Sequence, residues 1–169
     1  YNAAADGAVI WLSNSGTGAG NDNNTISNND LAPAGGNLPG IYIKSHNTTA
    51  GKDNSNITIT ANTIHDYYSS GQMSAGIYAF TGSSTWTITN NRIYQTNTLT
   101  LNISGNPYPA NTYSAIVIKA GNGYTITGNY CGFANAAGTG YTVITNSASN
   151  FAGSVQVIII NTVTGANST

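Results

Sequence analysis

Four stretches of this chain align without a gap. Asn24–Leu31, Ile57–Ile64, Trp86–Ile93 and Tyr124–Cys131 read NTISNNDL, ITITANTI, WTITNNRI and YTITGNYC. Each has an apolar residue at its third place, Asn at its sixth and an apolar residue at its eighth. A second motif precedes each one: Gly7–Trp11, Gly40–Lys44, Gly76–Phe80 and Ala115–Lys119. Asn29, Asn62, Asn91 and Asn129 stand 33, 29 and 38 residues apart, so the motifs are constant while the connections vary. A repeat of this size is one supersecondary unit that cannot bury its apolar side alone and must stack on its neighbours. Within each motif apolar and polar residues alternate, which is the period of a strand and not of a helix.

The repeat predicts a solenoid of about five coils, built from strands of about 4–6 residues. Stacking places like residues in rows. Ile26, Ile59, Ile88 and Ile126 form one expected inward ladder, and Leu31, Ile64, Ile93 and Cys131 a second. Ala8, Ile41, Ile77 and Ile116 make a third, and Ile10, Ile43, Ala79 and Ile118 a fourth. Asn29, Asn62, Asn91 and Asn129 are expected at a sharp corner, because Asn tolerates an unusual backbone angle and its amide can bond to the backbone or to the Asn above. Gly35, Gly36, Gly121 and Gly123 mark other bends. The inserts 45–56, 66–75 and 95–114 are expected to decorate the rim.

These motifs resemble the right-handed parallel β-helix repeats of the pectate-lyase-like superfamily. More narrowly, they are similar to the Asn/Thr/Gly-rich repeat regions of large bacterial surface and secreted proteins. The likeness runs from about Gly7 to the C-terminus and weakens after Gly132. It implies an all-β, right-handed parallel β-helix, with residues 1–169 read as one such domain, a segment of a longer solenoid or a stacking subunit. It also implies an extracellular or cell-surface setting.

Composition narrows the function. Only 5% of the residues are charged, against about 25% in an average domain. Hydrophobic residues make up 40% and fall in patterned runs, which a disordered polar tract lacks. Net charge is −1, which gives no electrostatic footprint for nucleic acid or an anionic membrane. No apolar run approaches the roughly 18–20 residues of a membrane span. The chain opens at Tyr1 without an initiator Met or a signal segment, so a processed product or a piece of a longer protein is expected. Sequons at Asn23, Asn47, Asn56, Asn102 and Asn167 arise by chance in so Asn- and Thr-rich a chain.

Catalytic chemistry finds little to stand on. The enzymes that the resemblance brings to mind use a Ca²⁺-binding acidic cluster with a basic residue, or clustered Asp with His and an Arg-x-Lys pair. Here the only carboxylates are Asp6, Asp22, Asp30, Asp53 and Asp66, with no Glu, and none recurs at an equivalent coil position. A two-carboxylate glycosidase needs groups within roughly 5–10 Å of each other. His65 and Asp66 form the most catalytic-looking pair, and read more simply as loop residues with side chains in solvent. Arg92 and Lys119 are expected on outward positions, without a carboxylate cluster to hold Ca²⁺. Cys131 is the only cysteine, which excludes an internal disulfide, and it aligns with Ile64 and Ile93 as a small core residue. No zinc spacing, phosphate loop or nucleophile elbow is present. The expectation is therefore no catalytic residue, no metal and no cofactor.

Surfaces remain. Trp11, Tyr42, Tyr78 and Phe80 are expected to project from one sheet, as a platform for glycan or protein contact. Thr58, Thr60, Thr87, Thr89, Thr125 and Thr127 are expected to stack outward beside Thr25 and Ser27. Such an array serves some ice-binding proteins, but Thr is also the natural residue of a solvated strand face. Val155, Val157, Ile158, Ile159 and Ile160 form an apolar strand with no charge or Pro, the profile of a strand that needs a partner. Self-association, or pairing with flanking coils of a parent chain, follows. The favoured function is an extracellular structural or adhesive module, with a filament assembled end to end. A carbohydrate-binding or carbohydrate-active β-helix is the alternative.

Overall fold

A computed structural model describes residues 7–13, 19–33, 40–45, 52–69, 73–101, 112–146 and 154–160. All regular structure among them is β. The first coil holds β1 (Ile10–Leu12), β2 (Thr25–Ser27) and β3 (Asp30–Leu31). The second holds β4 (Ile41–Ser45), β5 (Asn54–Ser55), β6 (Thr58–Thr60) and β7 (Thr63–His65). The third holds β8 (Ser74–Ala79), β9 (Ser83–Ser84), β10 (Thr87–Thr89), β11 (Arg92–Tyr94) and β12 (Leu99–Leu101). The fourth holds β13 (Thr112–Ile118), β14 (Thr125–Thr127), β15 (Tyr130–Phe133) and β16 (Ile144–Asn146), and β17 (Ser154–Ile160) opens a fifth.

Every pairing is parallel, between strands one coil apart. The three main sheets run β1-β4-β8-β13-β17, β2-β6-β10-β14 and β3-β7-β11-β15. This is a parallel β-solenoid. The two ladders drawn from the Thr-Ile-Thr motif are present in register: Ile26, Ile59, Ile88 and Ile126, then Leu31, Ile64, Ile93 and Cys131. Ile59, Ile64, Ile88 and Ile93, in the middle coils, are wholly buried. A further inward row went unread in the sequence. Ile57, Trp86 and Tyr124 occupy the first place of the motif and are also buried, and the Trp86 indole donates to the Asn54 carbonyl at 2.8 Å.

The first sheet departs from expectation. Ile43 pairs with Ile77 and Ile41 with Ala75, so the row is Ile10, Ile43, Ile77, Ile116 and Ile158. The alignment of Gly40-Ile-Tyr-Ile with Gly76-Ile-Tyr-Ala is two residues out of register. A slip of two keeps every side chain on its own side of a strand, so alternation cannot detect it. Alternation also breaks in this sheet. Tyr42 and Ile43 both join the main core, as do Ala115 and Ile116, and a Cβ placed on Gly76 would lie 2.8 Å from Ile93 Cγ2.

The inserts are not all rim decoration. Asn54 and Ser55 pair with Ser83 and Ser84, and β12 pairs with β16. Tyr67 and Leu99 lie within the core. Apolar side chains in these inserts are numerous enough to be drawn inside rather than left in water.

Candidate functional site

The Asn row is a continuous hydrogen-bonded ladder. The backbone N–H and side-chain Nδ2 of Asn29 both donate to Asn62 Oδ1, at 3.1 and 2.9 Å. Asn62 does the same to Asn91 Oδ1, at 3.0 Å each, and Asn91 to Asn129 Oδ1, at 3.0 and 2.9 Å. Each Nδ2 of Asn62, Asn91 and Asn129 also donates to a carbonyl of the preceding coil: Ile26, Ile59 and Ile88. Asn62 and Asn91 are buried yet satisfied, which is the condition for placing an amide inside. The strained backbone lies one residue earlier than expected. Asn28, Ala61, Asn90 and Gly128 have φ of 57°, 54°, 57° and 65°. A second left-handed row, Asn23, Asn56, Thr85 and Gly123, turns the chain into the same strands. One residue makes the corner and the next makes the ladder.

A shorter relay was missed in the sequence. Asn21 donates through its N–H to Asn54 Oδ1 at 2.8 Å, and Asn54 Nδ2 donates to Leu12 O and Ser45 Oγ at 2.9 and 2.7 Å. Only two Asn take part, in loops of unequal sequence, so no spacing signals it.

The aromatic platform does not form as expected. Tyr42 is 1% exposed and Tyr78 8%. Tyr42 turns into the core, edge-on to Tyr67 at 6.0 Å. Tyr78 stacks on Phe80 at 5.5 Å in a small second cluster with Ile41, Ala75 and Val117. Trp11 alone of the four is well exposed, with the Lys44 ammonium 4.8 Å from its ring centroid. Tyr42 leaves the outer face at the break in alternation, whereas Tyr78 stays apart from the main core and is buried within the second cluster.

His65 and Asp66 are not solvated loop residues. His65 lies in β7, its ring stacked on Tyr94 at 5.0 Å, with Nε2 3.2 Å from Asp30 and Nδ1 2.8 Å from Asp66. Asp66 is buried and also accepts from the backbone N–H and hydroxyl of Thr96, at 2.8 and 2.9 Å. Both imidazole nitrogens face carboxylates of Asp30 and Asp66. The chemistry of the group is to pin three successive coils through Asp30, His65, Asp66 and Thr96. Burial pushes the Asp66 carboxyl up, but the hydrogen bonds from His65 and Thr96 outweigh it and hold it below 3.8. Its stabilising contribution is therefore present above that value and disappears as pH falls through the lower folded value. Chemical denaturation should show Asp66→Asn less stable than the parent near neutral pH, with the gap closing in acid. A gap that is constant across the acid range would contradict this.

Arg92 lies over the Tyr130 ring at 5.0 Å, its guanidinium donating to Ala136 O. Cys131 packs against the core, and burial raises its thiol to about 11, so it is a packing residue and a poor nucleophile. Among the described residues no group of three or more His, Cys, Asp or Glu is arranged to hold a metal, and no helix is long and apolar enough to cross a membrane. The eight hydroxyls of the Thr face are in register across β2, β6, β10 and β14, with Thr89 donating to Thr60 at 3.0 Å.

At the end of the first sheet, β17 pairs with β13 along its length. Val157, Ile158 and Ile160 remain 50%, 43% and 48% exposed.

These features define a class: a parallel β-solenoid whose coils are stitched by buried amides. Comparison with known proteins returned no match, whether a family model, a curated protein or a solved structure.

Proposed function

We propose that this chain is a structural or adhesive module of an extracellular or cell-surface solenoid, of the Asn/Thr/Gly-rich kind found in large bacterial surface and secreted proteins. Its end coils pair with further coils, either of a parent chain or of another copy, and isolated copies join end to end into a filament. The observation that carries the reading is β17. It is the last strand of its sheet, and its described apolar side chains lie about half in water. An exposed apolar edge strand is a template for another strand. Little opposes the joint, because a net charge of −1 leaves almost no repulsion between copies. Contact between unlike ends does not close on itself and propagates. The contacts of His65 with Asp30 and of Asp66 with Thr96, which link one coil to the next, support a structural reading of that group.

Light scattering and electron microscopy of the chain should find elongated assemblies whose mass grows with concentration. Ile158→Lys together with Ile160→Lys should reduce them to monomers while leaving the β spectrum unchanged. A parent chain that stays monomeric at high concentration would remove the assembly half of the proposal.

A further inference from the structure

Two phenols of the core lack a well-formed hydrogen bond among the described residues, and they border the same cavity. Tyr67 is wholly buried and Tyr113 is 5% exposed, and neither hydroxyl has a partner in good hydrogen-bonding geometry. Other tyrosines reach a carbonyl: Tyr68 that of Thr100 at 2.8 Å, and Tyr124 that of Ala120 at 2.9 Å. The two rings stack at 5.1 Å with 5° between planes, and Tyr42 and Tyr68 pack edge-on against them, which holds both rings in place. The two hydroxyls, and that of Thr142 beside Tyr113, are close enough to perturb one another without forming a well-aligned bond. Beside them is a cavity of about 160 Å³, bounded also by Ala115, Thr142, Ile144 and Val157. Half-exposed Val157 belongs to its wall on the β17 side.

We propose that this cavity is a binding site for a small, uncharged, one-ring molecule whose polar atom is held by the Tyr67 and Tyr113 hydroxyls. The size suits one ring: an apolar cavity of about 150 Å³ takes up benzene. No charged residue lines it, so an ion would lose its hydration without return. Burial keeps both phenols protonated, with Tyr113 raised to about 12, so both are donors at physiological pH. Leaving a buried hydroxyl unpaired is costly, and a guest with an oxygen acceptor relieves that at both rings. The site is independent of the assembly proposed above.

Phenol is the probe, with benzene as its apolar counterpart. Titrated into the protein, phenol should shift the NMR signals of the Ala115 and Ile144 methyl groups. Tyr67→Phe and Tyr113→Phe should each weaken phenol about tenfold, the ratio for one hydrogen bond, and leave benzene unchanged. Each should also melt no lower than the parent, since the hydroxyl removed made no well-formed bond. Ala115→Leu, which fills the cavity, should abolish both responses, with an unchanged β spectrum showing that it folds. Three results would overturn the proposal. One is the absence of methyl shifts at millimolar phenol. Another is phenol affinity untouched by either Tyr→Phe change. The third is ordered water on the hydroxyls that phenol fails to displace.

Discussion

Replacing Asn91 with alanine should destabilise the chain by about 3 kcal/mol, whereas the same change at Asn29 should cost less than about 1 kcal/mol. Asn91 stands in the middle of the ladder. Its Oδ1 accepts both the N–H and the Nδ2 of Asn62, and its Nδ2 donates to Ile59 O and Asn129 Oδ1. Truncation leaves the buried Asn62 N–H without an acceptor, and a buried orphan of this kind costs about 1–3 kcal/mol on its own. Asn29 is exposed, and after truncation its backbone N–H still reaches Asn62 Oδ1. Water replaces what the side chain gave up. Urea unfolding of the two variants beside the parent makes the comparison. Equal losses at both positions would mean that the amides act as isolated corner residues and not as a relay.

Gly121→Ala should cost about 3–4 kcal/mol, combining about 1–2 for a left-handed residue with a Cβ and about 1–3 for the overlap it creates. Gly121 has φ of +81°, and a Cβ there would sit 1.7 Å from the carbonyl oxygen of Ser83 in the adjoining coil. That atom is backbone, so no side-chain rotation can make room. Gly138→Ala separates the two contributions. Gly138 has φ of +72°, but its Cβ would meet only Tyr130 Cδ1, at 3.2 Å. The loss there should stay near the conformational part alone, about 1–2 kcal/mol. Thermal unfolding of both variants checks the difference. A Gly121→Ala protein as stable as Gly138→Ala would show that the β9 strand yields to the methyl group.

The corner residues show how far the repeat can be read. Asn recurs at the sixth place of every motif, and a residue that recurs through stacked coils must meet its own kind one coil away. That much makes the ladder legible. The division of labour at the corner is not, because the fifth place holds Asn28, Ala61, Asn90 and Gly128, four residues without a common chemistry. Only their shared positive φ unites them. Ala61 adopts this angle against its own preference because the neighbouring coils fix the backbone there: its N–H donates to Thr89 O at 3.2 Å.

The stack of parallel strands, the two Ile ladders and the buried Asn row follow from the sequence alone. They rest on residues that repeat in the same order around a shared Asn, and that Asn holds the stacking in register. What distance in space decides, the sequence left open. The first sheet could slide by two residues without changing the alternation along either strand, and the structure sets Ile41 opposite Ala75, with Gly76 where a Cβ would crowd Ile93. Tyr42 enters the core at a break that alternation does not signal, and Tyr78 is buried in the second cluster. The joining of Asp30, His65, Asp66 and Thr96 was hidden for a related reason. Asp30 and Thr96 are far from His65 along the chain and neither recurs at an equivalent place in the other coils, so only the stacking of coils brings their side chains within hydrogen-bonding reach.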